Sequence, residues 1–314
     1  MKDKSRILFS HSYFLRFDPK QWKQAQPYPP LGTLYAAALM RENGYNVELF
    51  DPMFAKDSNE VIPSIGKYKP HYFVLYDDGF NYLTKMCLTN MREAAFRMIK
   101  LAKERGCIVI ISSSDSTDHY EEYLNEGADF VLLGEAEMTL KELIDSLDNN
   151  ETNQLHIQGL ATKKENVISK TMRRNVLKFL DDLPFPAWDI LDIHPYKEMW
   201  LKNAGYFSLN MATTRGCPFK CNWCAKPIYG NRYNSRSPEN AVEELKMLKQ
   251  KFNFDHIWFC DDIFGLKPNW VNEFADLVEK ESRMCGIKFR FKIQSRADLL
   301  LQENYVAALH RAGC

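Results

Sequence analysis

Three cysteines crowd one short segment of this chain. In Thr214-Arg-Gly-Cys-Pro-Phe-Lys-Cys-Asn-Trp-Cys-Ala, Cys217, Cys221 and Cys224 form a C-x3-C-x2-C array directly after a hydrophobic segment. Each iron of a [4Fe-4S] cluster wants a thiolate-like ligand, so an array offering three leaves one iron open to a substrate or cofactor. That suits catalysis at the cluster rather than electron carriage alone. A structural zinc site would close its tetrahedron with four Cys or His ligands, and the next histidine downstream is His256. A zinc-stabilised interaction module is the competing reading, which metal analysis would separate.

The other five of the eight cysteines show no partner spacing. Cys87 and Cys107 lie in apolar segments, where a thiol usually serves as a small buried hydrophobe, and Cys260, Cys285 and Cys314 are isolated. The start of the chain has too short an apolar stretch for a secretory signal, so a reducing, cytoplasmic setting is expected rather than a disulfide framework. Forty-one basic residues balance 41 acidic ones, which leaves no global field to attract nucleic acid or an anionic membrane. The apolar runs are strand-sized and far short of the ~18 residues of a membrane span.

Up to about residue 150 the chain alternates between two periods. Residues 7–9, 47–50, 72–76, 108–111 and 130–133 are short β-branched or aromatic runs, separated by segments of helical spacing such as 31–43, closed by Gly44. The pattern predicts a five-stranded, doubly wound parallel sheet, which binds ligands at the carboxyl ends of its strands. Residues 151–204 read as a linker with a small hairpin around Lys163-Lys-Glu-Asn, followed by the proline-rich Leu183-Pro-Phe-Pro-Ala-Trp-Asp.

From residue 205 the alternation resumes as an α/β barrel. A strand at 207–211 delivers the cysteine loop, a strand at 256–260 ends in Asp261 and Asp262, and a strand at 289–293 ends in Gln294 and Arg296. Carboxyl ends of barrel strands build active sites, so these four residues are candidates; turn, capping and surface ion-pair roles compete with cofactor binding. About three strand–helix units follow residue 207, so residues 205–314 are expected to be the first part of a longer barrel.

The cysteine array, with aromatic Trp223 just before its last member, resembles the radical S-adenosylmethionine (SAM) enzymes. That resemblance implies a [4Fe-4S] cluster held by Cys217, Cys221 and Cys224. SAM would chelate the open iron and be cleaved by one electron to a 5′-deoxyadenosyl radical, with Trp223 near the adenine and Asp261, Asp262 and Gln294 around SAM. The order of Pro29-Pro-Leu-Gly, Asp51 and Gly134-Glu-Ala-Glu resembles the cobalamin-binding domain that precedes the radical SAM domain in one large subgroup. It implies Gly32, Ser114, Gly134 and Glu135 along the cofactor edge.

The chain departs from that subgroup in lacking D-x-H-x-x-G and in carrying Ser112-Ser-Ser-Asp where many members have glycines. Cobalamin would therefore bind base-off without a histidine ligand, and a degenerate domain that binds none is the alternative. The implied activity is methylation of an unactivated carbon on a small molecule, with a reductant such as flavodoxin or ferredoxin. Cyclisation or rearrangement, and a non-catalytic iron–sulfur or cobalamin-binding electron-transfer partner, are the other readings. The substrate and the catalytic residues are not legible.

Overall fold

β-Branched and aromatic runs become strands because their side chains fill both faces of one sheet. The computed structural model describes residues 4–81, 88–221 and 228–314. The first sheet comprises β1 (Arg6–Ser10), β2 (Asn46–Leu49), β3 (Tyr72–Tyr76), β4 (Ile108–Ser112), β5 (Phe130–Leu132), β6 (Leu160–Lys164) and β7 (Val167–Lys170), in the order β2-β1-β3-β4-β5-β6-β7. The pairings among β1 to β5 are all parallel.

Alternate residues of each strand divide between two cores. Leu8, Phe73, Leu75, Val109, Ile111 and Val131 pack with Ala94, Met98 and Ile99 of the helix Leu88–Lys103. Ile7, Phe9, Tyr72, Val74, Ile110 and Leu132 pack with Ala36, Ala37 and Met40 of the helix Leu31–Glu42, and with Leu140, Leu143 and Ile144 of the helix Glu137–Asp148. Helices on both faces are what a doubly wound parallel sheet requires. Each such large side chain contributes roughly 1.5–3 kcal/mol on burial.

The sheet has seven strands, not five, because the hairpin expected in the linker adds to it. β6 pairs antiparallel with β5, and β7 with β6. Leu160 and Ala161 are fully buried, and Glu165 and Asn166 at the tip both have positive φ, 48° and 65°, as a tight two-residue hairpin turn demands. Burial of that face outweighs the polar character that marked the segment as a connector.

The chain divides into two units at other points than the sequence suggests. The first holds residues up to Gln24, Pro30–Val176 and Pro184–Asp192; the second holds Ala25–Pro29, Leu177–Leu183 and Ile193–Cys314. Within the first unit, the proline-rich stretch packs back on the helix Leu31–Glu42: Ala187 N–H donates to Leu34 O at 3.1 Å, and Trp188 is buried.

The second unit has a parallel three-stranded sheet of β8 (Ser208–Met211), β11 (His256–Phe259) and β12 (Phe291–Lys292), in the order β12-β11-β8. Between the first two lies a short antiparallel pair, β9 (Thr214–Arg215) and β10 (Asn234–Ser235). Its helix Pro238–Phe252 starts as the sequence predicts: Ser237 caps it by accepting from Asn240 N–H at 3.1 Å, and proline takes the first position. Phe259 centres an aromatic core with Phe264, Phe274 and Phe291.

Residues 25–29 are built into this second unit rather than the first. Trp200 Nε1 donates to Pro27 O at 2.7 Å, Asn210 Nδ2 donates to Pro29 O at 2.9 Å, and the Tyr28 ring lies 4.8 Å from Trp258. Local periodicity gives no sign of this, because every partner lies more than 170 residues away.

Candidate active site

Cys217 and Cys221 follow the outgoing arm of a short antiparallel pair. β9 and β10 pair through Arg215 with Asn234 and Thr214 with Ser235, so the described residues 216–221 leave this pair, and 228–233 return to it, at the carboxyl end of β8. Gly216 has φ +80°, and a Cβ there would stand 2.1 Å from Arg232 O and 3.1 Å from the carbonyls of Gly230 and Tyr229. Only glycine fits such a close backbone approach. Arg215 is buried, with its guanidinium 4.9 Å from the Tyr229 ring centre. Cys217 is half-buried and Cys221 exposed. Cys224 and Trp223, like Cys87, lie outside the described residues.

Asp261 holds the base of this hairpin. Its carboxylate accepts from Thr213 N–H at 2.7 Å, Thr214 N–H at 2.8 Å and the Thr213 hydroxyl at 2.6 Å. Burial pushes the carboxyl up to about 6, against the downward pull of those hydrogen bonds. The geometry gives Asp261 the task of shaping the turn before the cysteines; neighbouring Asp262 is exposed.

The turns after the other two strands are tied to the same end of the sheet. Tyr233, on the returning arm of the hairpin, accepts from Leu266 N–H at 3.0 Å. Phe264 N–H donates to Gln294 O at 2.7 Å, and the Tyr305 hydroxyl donates to Phe264 O at 2.8 Å. Gly265, at φ +61°, would place a Cβ 2.3 Å from Val271 Cγ2. Arg296 lies with its guanidinium 3.8 Å from the centre of the Phe219 ring, within the cysteine loop, and pairs with Asp298 at 2.9 Å. Asp261, Asp262, Gln294 and Arg296 thus follow parallel strands at the end that carries the cysteines.

His256 belongs to the opposite end. Its Nδ1 is 3.0 Å from Ser208 Oγ, and burial, with Lys292 nearby, pushes its imidazole down to about 4, so it is neutral at pH 7. Sequence reasoning missed Thr213, Tyr233, Arg236 and Tyr305. Their residue types carry no signal without knowledge of the distant backbone groups they hold.

In the first unit, the parallel register puts the predicted cofactor residues at one edge. Gly32 N–H donates to Asp78 Oδ1 at 3.1 Å, and a Cβ on Gly32 would meet Asp78 Cα at 3.2 Å and Gly79 N at 3.3 Å. Close packing alone therefore accounts for this glycine. Ser114 opens the short helix Ser114–Asp118, capped by Ser113. Gly134, at φ 82°, donates its N–H to Thr117 Oγ1 at 3.1 Å, and Glu135 is buried.

The same edge gathers Asp77, which the sequence reading did not single out, with Asp115 and Asp51. Asp77 accepts from Ser12 N–H at 2.6 Å and its hydroxyl at 2.8 Å, and burial raises its carboxyl. Asp115 takes a bidentate contact from Arg92 at 2.6 and 2.8 Å and accepts from the Tyr123 hydroxyl at 2.8 Å. His11 is buried, with Nε2 2.9 Å from Asp51 and Nδ1 accepting from Tyr13 N–H at 3.3 Å. β2 and β3 flank β1 on opposite sides, which makes this edge the topological switch point where open α/β sheets bind ligands.

Residues 211–314 match the Radical SAM superfamily. This part of the chain is similar to radical SAM domains. The chain is 27% identical over 293 residues to an uncharacterized methyltransferase of Pyrococcus horikoshii, covering 91% of this chain and 59% of that protein. It is 23% identical over 289 residues to the anaerobic magnesium-protoporphyrin IX monomethyl ester cyclase of Synechocystis, covering 90% and 54%. The fold is similar to that of OxsB, a cobalamin-dependent SAM radical enzyme solved with aqua-cobalamin, at TM-score 0.77 and 18% identity over 99% of this chain and 42% of OxsB. The chain spans little more than half the length of these curated relatives. Among the described residues, no helix is long and apolar enough to cross a membrane.

Proposed function

We propose that this chain is part of a radical SAM enzyme that uses cobalamin to methylate an unactivated carbon of a small molecule. The observation that carries the reading is the placement of the Cys217 and Cys221 thiols directly after the paired segment Thr214–Arg215, beyond the carboxyl end of β8, in the region that matches the Radical SAM superfamily. A half-buried Cys217 and an exposed Cys221 suit a thiolate-ligated cluster at the protein surface. Cys217, Cys221 and Cys224 would hold it. When bound, the cluster would supply one electron for reductive cleavage of SAM and cobalamin would supply the methyl group.

The chain's own residues position that chemistry. Gly216 lets the backbone turn into the cysteines, and Asp261 fixes the Thr213 and Thr214 amides upstream of it. Gln294 and the exposed Asp262 are the proposed SAM contacts, and Trp223 the proposed adenine neighbour. In the first unit, Gly32, Ser114, Gly134 and Glu135 are the proposed cobalamin edge. His11 is committed on both ring nitrogens, which fits base-off binding without an imidazole on cobalt. Similarity to the cyclase favours ring formation as the second reading.

Anaerobic reconstitution tests this directly. The expected result is about four irons and matching sulfide per chain, lost when the three cysteines are replaced by Ala, with SAM perturbing the EPR signal of the reduced cluster. Zinc without sulfide would reject the cluster. An intact cluster indifferent to SAM would favour the electron-carrier reading. For the whole protein, a flavodoxin- or ferredoxin-type reductant should support formation of 5′-deoxyadenosine.

A further inference from the structure

We propose that Arg236, with its partner Glu244, is a positioning residue for the cluster loop, setting the path of the backbone that enters the cysteines. The proposal rests on the cluster reading above and deepens it.

Arg236 immediately follows β10, the returning arm of the hairpin. Its backbone N–H donates to Thr213 O at 2.9 Å, and its Nη1 donates to Ala212 O at 3.0 Å. Two consecutive carbonyls on the outgoing arm are therefore held by one residue of the returning arm. The next two amides, of Thr213 and Thr214, donate to Asp261. The peptide groups from Ala212 to Thr214 are thus gripped from both sides, and Gly216 permits one sharp turn before Cys217.

The guanidinium is itself bolted to the helix Pro238–Phe252. Nε donates to Asn240 Oδ1 at 2.6 Å, Nη2 to Asn240 O at 3.1 Å, and Nη1 forms a short contact to Glu244. Arg236 is 5% exposed and Glu244 fully buried. Trp270 Nε1 closes the other side by donating to Arg236 O at 2.7 Å. Lysine cannot reproduce this, because its single ammonium lacks the planar fork that reaches Ala212, Asn240 and Glu244 together.

A buried ion pair is weak support for stability, since well-packed apolar replacements often fold as well. What the apolar pair could not do is hold Ala212 O. That separates positioning from simple stabilisation.

The experiment is the double variant Arg236→Met with Glu244→Leu in the full chain, beside Arg236→Lys. Two readouts apply: hydrogen exchange of the backbone amides of Thr213 to Cys217 in metal-free protein, and the rate at which a chelator removes iron from the reconstituted cluster. The expected result is a thermal midpoint near that of the unaltered chain, with about tenfold faster exchange and faster iron loss. A folded variant with exchange and iron-loss rates within about twofold of the unaltered chain overturns the proposal. If the double variant fails to fold, Arg236→Lys decides by the same two rates. If the unaltered chain takes up no cluster, the cluster reading fails, and the exchange measurement still decides whether Arg236 sets the loop.

Discussion

The Arg296 guanidinium stacks 3.8 Å from the centre of the Phe219 ring, joining the segment after the third barrel strand to the cysteine loop. Phe219 is about one-third exposed at 36%, so the contact is partly screened by water. A double-mutant cycle with Phe219→Ala and Arg296→Ala should give a coupling of about 0.5–1 kcal/mol by urea unfolding. Strict additivity would mean that the stack does not hold the loop.

Gly216→Ala should disturb the cysteine loop while leaving the first unit intact. The substitution forces an L-residue to φ +80° and drives its Cβ toward Arg232 O, a strain of roughly 1–3 kcal/mol. Reconstituted iron should fall to less than half of the unaltered value. Circular dichroism should show unchanged secondary structure; full iron loading would show that the loop relaxes freely.

Asp261 predicts a pH dependence with a definite sign. Burial holds its folded carboxyl at about 6, above the ordinary carboxylate value, so the folded state binds the proton more tightly than the unfolded chain. Its contribution to stability is fully present below the unfolded value and is lost as pH rises through about 6. Asp261→Asn removes that titration. Relative to the unaltered chain it should therefore gain on the order of 1–3 kcal/mol between pH 4 and pH 7.5, as read by urea unfolding at the two pH values. A difference independent of pH would show that the three hydrogen bonds, not burial, set the carboxyl.

Cobalamin added to the protein should give a base-off absorbance spectrum, and His11→Ala should leave that spectrum unchanged. His11 already engages Asp51 and the Tyr13 amide, so it has no ring nitrogen to offer a metal. A spectral change in the variant would place His11 on cobalt.

Much of this protein is written in contiguous residues. The C-x3-C-x2-C array needs only spacing and thiolate chemistry, and the strands of the first sheet need only alternation between periods of 2 and 3.6 residues. The Ser237-Pro238 helix start is equally local. Tertiary structure decided where polar side chains spend their hydrogen bonds. Asp261 stands where a contact to the SAM ammonium is expected, yet it turns to Thr213 and Thr214, 48 and 47 residues away in sequence. Arg236 reaches back 24 residues to Ala212, and Tyr28 joins the second unit through Ser208, 180 residues on. The reason is physical: periodicity reports which face of an element meets a core, whereas a buried polar group takes whichever donor or acceptor the parallel crossovers bring beside it.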